Sequence, residues 1–141
     1  LLRSPVASGV INLLNYEKAM QIPGVLKVLT QDDVSKVCSS WQGVLSQFPM
    51  VSPMQPPLAD GKVYWQGQAI AAVIAESRAI AEDAIQLIEL DIQETEAVIG
   101  VGKAIASNAI KIHANLENNI CMSRNYETAN FDNEFKNLTN F

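Results

Sequence analysis

Residues 68–93, QAIAAVIAESRAIAEDAIQLIELDIQ, place an apolar run, a capped amphipathic segment and an alternating segment end to end, and nothing else in the chain narrows the fold as much. Gln68 to Ala75 is apolar on both faces of a strand, which fits a central strand covered on both sides. Ser77 is placed to cap a helix over Arg78–Ile88. Ile80, Ala81, Ala84, Ile85 and Ile88 recur there at three- and four-residue spacing, while Arg78, Glu82 and Gln86 face away. From Glu89 to Gln93, charged or polar residues alternate with Leu90 and Ile92, the pattern of a strand with one wet face. Strand, helix and strand in such close succession suggest a crossover unit.

The same order is expected earlier in the chain. Ala7 to Leu14 is rich in branched apolar residues and reads as a strand. A short helical turn over Tyr16 to Met20 must end at Pro23 and Gly24. Val25 to Leu29 is a second strand, and Thr30 with Asp33 resembles a capping box that opens a brief helix. Between residues 37 and 59 no residue is charged, and four of the chain's six prolines fall there with Trp41 and Phe48. Such a stretch cannot stay regular for long, and its apolar character sets two alternatives: it folds back over its own domain, or it lies against another surface. Asp60-Gly61 can take the positive φ of a tight turn, so a hairpin or sharp corner is expected before a strand at Lys62 to Trp65. From Ala114 the Asn-rich tail reads as an exit segment, with one strand at Ile120 to Tyr126.

The length of 141 residues suits one compact core, and the apolar fraction of 48% is that of a folded chain rather than a disordered one. The net charge of −5 comes with scattered Lys and Arg, which gives a nucleic-acid surface no electrostatic support. The longest apolar run is too short to cross a bilayer, and no signal-peptide pattern opens the chain, so the reading is of a soluble protein without membrane partners. Cys38 and Cys121 are far apart and form no CxxC pair, which makes a reducing cytoplasm the default compartment. Asn137-Leu138-Thr139 matches the glycosylation pattern, silent in that compartment. The opening LLRSP, without Met, reads as cut from something longer.

Candidate chemistry is sparse. Gly100-Val101-Gly102 begins like a dinucleotide fingerprint, but Ile105 stands where that pattern needs Gly or Ala, so a plain loop is expected. His113 is the only histidine, and a nucleophile pair would have to join it to Cys38 or Cys121; beside two Ile residues it reads as structural. Glu82 with Asp83, and Glu89 with Asp91, are carboxylate pairs that suit a solvated surface better than acid–base or metal work. No Walker loop, nucleophile elbow, HExxH or zinc-type Cys spacing is present. No catalytic or metal-binding residue is therefore assigned.

Several ordered segments resemble one family. LLRSPVASGVINLLN, AMQIPGVLKVLTQDDV, LADGKVYWQGQAIAAVIAESRAIAEDAIQLIELDI and EAVIGVGKAI are similar, in that order, to the α/β hammerhead domain of the xanthine dehydrogenase and aldehyde oxidase family. Its family-like signatures include Ile22-Pro23-Gly24-Val25, Leu29-Thr30 with Asp32-Asp33, Asp60-Gly61-Lys62-Val63, and Gly67-Gln68 before the central strand. Val6 and Ala7 stand where many members carry a His-Ala pair, and Gly100 where an acidic residue is common, which blurs the subfamily and hence the substrate.

The resemblance implies an α+β hammerhead, a mixed sheet with short helices packed on it, over residues 1–127 with the Pro-rich loop at 37–59. Residues 128–141 would then form an exit segment toward a cofactor-binding domain outside this chain. It implies a non-catalytic packing module, cytoplasmic, within a molybdenum hydroxylase that oxidises N-heterocycles such as purines, or aldehydes, with oxygen from water. The chain itself would hold no cofactor. The molybdenum-pterin group would sit in downstream domains of the same polypeptide, with iron–sulfur clusters and FAD in further domains or subunits. Gly67 and Gln68 are the candidate contacts to the neighbouring cofactor domain, against the alternative that the Gln amide bonds locally. Two rival expectations remain: an independent small-molecule or protein-binding module if the apolar loop closes over a pocket, and a small enzyme pairing a cysteine with His113.

Overall fold

The computed structural model describes residues 1–137. Its elements are β1 (Leu2–Arg3), β2 (Gly9–Asn15), α1 (Glu17–Met20), β3 (Val25–Leu29), α2 (Gln31–Val34), β4 (Trp41–Gln42), β5 (Met54–Gln55), β6 (Lys62–Val63), β7 (Ala69–Ala75), α3 (Arg78–Gln86), β8 (Glu89–Glu94), α4 (Val101–Ala104) and α5 (Phe131–Lys136). They form the expected α+β hammerhead, with the strands divided among a sheet ordered β1-β7-β3, a second ordered β6-β2-β8, and a two-stranded ribbon β4-β5. Each of these ladders is antiparallel.

The apolar run becomes the central strand β7, with Leu2 opposite Ala71 on one edge and Val28 opposite Val73 on the other. Only its first half is fully covered: Ile70 and Ala71 are buried, whereas Ile74 is exposed. Helix α3 starts at Ser77, whose Oγ accepts from the Ile80 N–H at 3.3 Å, and packs on β7 and α1. Ala19 of α1 and Ala84 of α3 are fully buried in one cluster with Val28, Ala71 and Ile88; these small side chains let the two helices approach the sheet closely. A second cluster of Ala59, Val63 and Ile70 lies between the sheets, and Leu2 and Leu14 pack against both clusters, so the core is continuous.

The crossover expected over residues 68–93 does not form. Both edges of β7 are already taken by β1 and β3, so α3 carries the chain across to the second sheet, where β8 pairs with β2. The polar face predicted for β8 supplies the register: Asn12 Nδ2 donates to Asp91 Oδ2 at 3.1 Å, and Asn15 and Lys18 both reach Glu89. Gly9 in β2 is required by this pairing, because a Cβ there would meet the Ile92 side chain and stand 2.9 Å from the Gln93 carbonyl oxygen.

Thr30 and Asp33 open α2 as expected, with the Thr30 N–H donating to Asp33 Oδ2 at 3.2 Å. Gly61, at φ +64°, makes a corner rather than a hairpin, since β6 pairs with β2 and not with the segment before the turn. That strand is shorter than expected, ending at Val63. The uncharged loop partly closes on itself, since Trp41 pairs with Gln55 and Gln42 Nε2 donates to the Ser52 carbonyl at 2.6 Å, and its end is tied to α2 by the Leu58 N–H donating to Gln31 Oε1 at 3.1 Å. The strand expected at Ile120 to Tyr126 is not formed. Those residues pair with no strand among the described residues, and they meet the loop backbone where the Val51 N–H donates to the Cys121 carbonyl at 2.9 Å. The short helix α5 follows instead. Leu138 and Thr139 of the glycosylation pattern, and the end of the expected exit segment, lie outside the described residues.

Candidate functional site

Gly67 and Gln68 sit where β1, β6 and β7 meet. Gly67 has φ +88°, donates its N–H to the Ser4 carbonyl at 2.8 Å, and accepts from Arg3 Nη1 at 2.8 Å. The Gln68 carbonyl accepts from the Ser4 N–H at 2.8 Å, and its side-chain Oε1 accepts from the Tyr64 N–H at 2.7 Å. With Gln68 only 4% exposed, its amide oxygen is a local clasp that fixes the turn between β6 and β7 against β1. Its amide nitrogen has no hydrogen bond among the described residues.

Next to this clasp, His113 stacks on Tyr64 with ring centroids 4.4 Å apart, and the Lys62 ammonium lies 5.1 Å from the Tyr64 ring centre. Partial burial, and then the charge of Lys62, push the imidazole below its usual pKa, so it is neutral near pH 7. Lys62, Tyr64, Trp65, Glu96, Ile99 and Lys111 are among the residues that line a cavity of about 390 Å³. Cys38 and Cys121 are free and exposed thiols.

The carboxylate pairs face solvent and meet cations singly. Glu82 Oε1 accepts from Arg78 Nε at 2.7 Å one helical turn away. Glu89 at the start of β8 pairs with Lys18 of α1, and the hydrogen bond and charge of Lys18 hold the Glu89 carboxyl below its ordinary pKa. Among the described residues no three His, Cys, Asp or Glu side chains converge as metal ligands. Gly100, at φ +90°, stands ahead of the four-residue helix α4, with Gly102 inside that helix. No helix among the described residues is long and apolar enough to cross a membrane.

One cluster escaped the sequence reading. Arg124 in the tail lies over two aromatic rings, 3.5 Å from the Phe48 centroid and 4.5 Å from that of Tyr126. Phe48 belongs to the uncharged loop, so the cluster joins two segments separated by most of the domain. The available signal was a lone Arg in a tail and aromatic residues in a loop without charge; their proximity is purely tertiary.

Two antiparallel sheets bridged by short helices, with a two-stranded ribbon inside a long uncharged loop, define an α+β domain. Residues 1–96 match the family described as "Aldehyde oxidase and xanthine dehydrogenase, a/b hammerhead domain". The chain belongs to that family. It is similar to the carbon monoxide dehydrogenase large chain of Hydrogenophaga pseudoflava, 33% identical over 109 residues that make up 77% of this chain and 13% of the relative. The crystal structure of quinoline 2-oxidoreductase from Pseudomonas putida 86 superposes with a TM-score of 0.77 at 33% identity, over 83% of this chain and 15% of that one. The aldehyde oxidoreductase of Desulfovibrio gigas gives a TM-score of 0.70 at 30% identity, over 82% and 13% respectively. The chain thus spans a small fraction of the length of the proteins it matches.

The residues present do not fit a molybdenum-pterin group. Glu82 and Glu89, the carboxylates that meet cations on α3 and β8, are held singly by Arg78 and Lys18, and the described residues assemble no ligand set.

Proposed function

We propose that this chain is a non-catalytic packing module of a molybdenum hydroxylase of the xanthine dehydrogenase and aldehyde oxidase type. Residues 1–127 are the module, and residues 128–141 lead toward the domains that hold the molybdenum-pterin cofactor. The whole enzyme oxidises N-heterocycles or aldehydes with oxygen from water in the cytoplasm, passing electrons through iron–sulfur clusters to FAD. The observation that carries this reading is the distribution of exposed apolar residues. Trp41, Val44, Leu45, Val51 and Met54 of the loop, with Met122 and Tyr126 of the tail, are all exposed, while the core beneath them is closed. Such a surface favours burial against a neighbouring domain. Gly67 and Gln68 are a second contact: the Gln68 oxygen is used locally and its amide nitrogen is left to donate outward.

Deleting residues 1–127 from the whole polypeptide tests the module. The expected result is loss of soluble, cofactor-loaded enzyme, measured as molybdenum per polypeptide. Full loading and turnover without these residues, or substrate oxidation by the 141-residue chain alone, would sink the reading. A second reading, an independent small-molecule module, draws on the cavity beside Tyr64 and Lys62. It predicts a saturable rise in the melting temperature of this chain with a small ligand, lost in Trp65→Ala.

A further inference from the structure

The hollow between the uncharged loop and the tail is lined by one cation and no anion. Leu45, Phe48, Met122, Arg124 and Tyr126 help to line an open hollow of about 530 Å³. Of the chain's arginines, Arg3 donates to the Gly67 carbonyl and Arg78 to the Glu82 carboxylate, whereas Arg124 has no oxygen acceptor and no ion pair among the described residues. Phe48 and Tyr126 fix its position through their rings, but a ring face offers no lone pair to the N–H donors in the guanidinium plane. The result is a preorganised fork whose natural complement is a carboxylate, the acceptor that matches it in two parallel hydrogen bonds.

The surroundings decide what kind of molecule brings that carboxylate. Val44, Leu45, Met122 and Tyr126 are exposed around the hollow, so a small hydrophilic anion would leave an apolar rim in water. An arginine and aromatic residues ringed by aliphatic ones is the composition of an energetic centre in a protein interface. The chain occupies only 13% of the carbon monoxide dehydrogenase large chain it resembles, which leaves most of such a polypeptide to supply the opposing surface.

We propose that Arg124 anchors the contact between this domain and the remainder of its own polypeptide, by binding one Asp or Glu carboxylate presented from an aliphatic surface. The proposal rests on the packing role stated above and names its centre. Phe48 and Tyr126 are positioning residues that hold the guanidinium ready, and the Val51–Cys121 backbone bond keeps loop and tail together beneath it.

The test uses the whole polypeptide. In the R124K variant an amine replaces the fork, and a carbodiimide should then form a zero-length amide between position 124 and an Asp or Glu beyond residue 141, mapped by mass spectrometry. In R124M the same crosslink should be absent, and amide exchange at residues 44–48 and 122–126 should quicken by about tenfold or more, as expected for loss of a charge-assisted bond at an interface. Exchange in β7 and α3 of the same sample should not change, which shows that the fold survives. Unchanged exchange in the two segments, a crosslink only within residues 1–141, or a crosslink between two molecules would overturn the proposal. If any of these occurs in a polypeptide that still loads molybdenum, the anchor fails while the packing role stands; failure of both requires that deletion of residues 1–127 also leaves loading intact.

Discussion

The two-sheet core and the loop-plus-tail region draw on the same kinds of side chain and treat them in opposite ways. In the core, Val63 and Ala71 are 0% exposed; in the other region Val44 and Tyr126 are each 78% exposed and Val37 is 83% exposed. The difference is one of partners. Strands β2, β3, β7 and β8 each find another strand at their edge and an apolar face opposite, whereas residues 37–59 are broken by prolines into a ribbon with two residues per strand. Apolar residues without a scaffold of their own remain exposed in this chain. The contrast teaches that hydrophobic content alone does not make a core; the backbone must also be able to order it.

The sharpest way to break the contrast is to empty the core. Ile70→Ala should destabilise the chain by about 2–5 kcal/mol, read as a lower urea midpoint, because Ile70 is enclosed where the two sheets meet. A loss below about 0.5 kcal/mol would mean that the second cluster is not a true core. Next in size is the helix that bridges the sheets. Ser77→Ala removes the oxygen that accepts from the Ile80 N–H and should cost about 1 kcal/mol, while Ser77→Asp should retain most of the stability.

A smaller effect is expected at the wet face of the second sheet. Glu89 is held below its ordinary pKa first by its hydrogen bond to Lys18 and then by that residue's charge. Its contribution is therefore present above the ordinary carboxylate pKa and is lost as pH falls through the depressed value. Lys18→Met should flatten this part of the acid unfolding profile, measured by thermal melts between about pH 6 and about pH 3. Because the pair is open to solvent, the change should be slight, and a large one would show that Lys18 has a further role. The smallest effect belongs to the loop. Val44→Ser should alter the stability of the isolated chain by less than about 0.5 kcal/mol, yet reduce its self-association in light scattering. A substantial loss of stability there would erase the distinction between the two regions.

Much of the core could be read in advance, and for local reasons. The span of β7, the Ser77 cap, β3, the opening of α2 at Thr30 and the alternation of β8 are each set by residues within a few positions of one another. Readings that depended on long-range pairing failed. The crossover was excluded because β1 and β3 flank β7, and residues 120–126 of the tail pair with no strand among the described residues. At the candidate sites, the local clasp at Gln68 was among the alternatives, since a Gln at a strand entrance can reach a backbone N–H four residues away. The Arg124 cluster was not, because Arg124 and Phe48 lie far apart in sequence and neither carries a spacing that points to the other.

The residues by themselves determined the types and approximate places of the main elements, the family, and the scarcity of reactive spacing. These depend on backbone preference, side-chain periodicity and short ordered motifs, all of which act over a few neighbouring positions. Only the tertiary structure decided which sheet each strand joins, where the apolar loop stops covering itself, and which cation is left facing out from it. Edge pairing, burial and charge complementarity depend on distances through space, and a linear order of residues does not contain them.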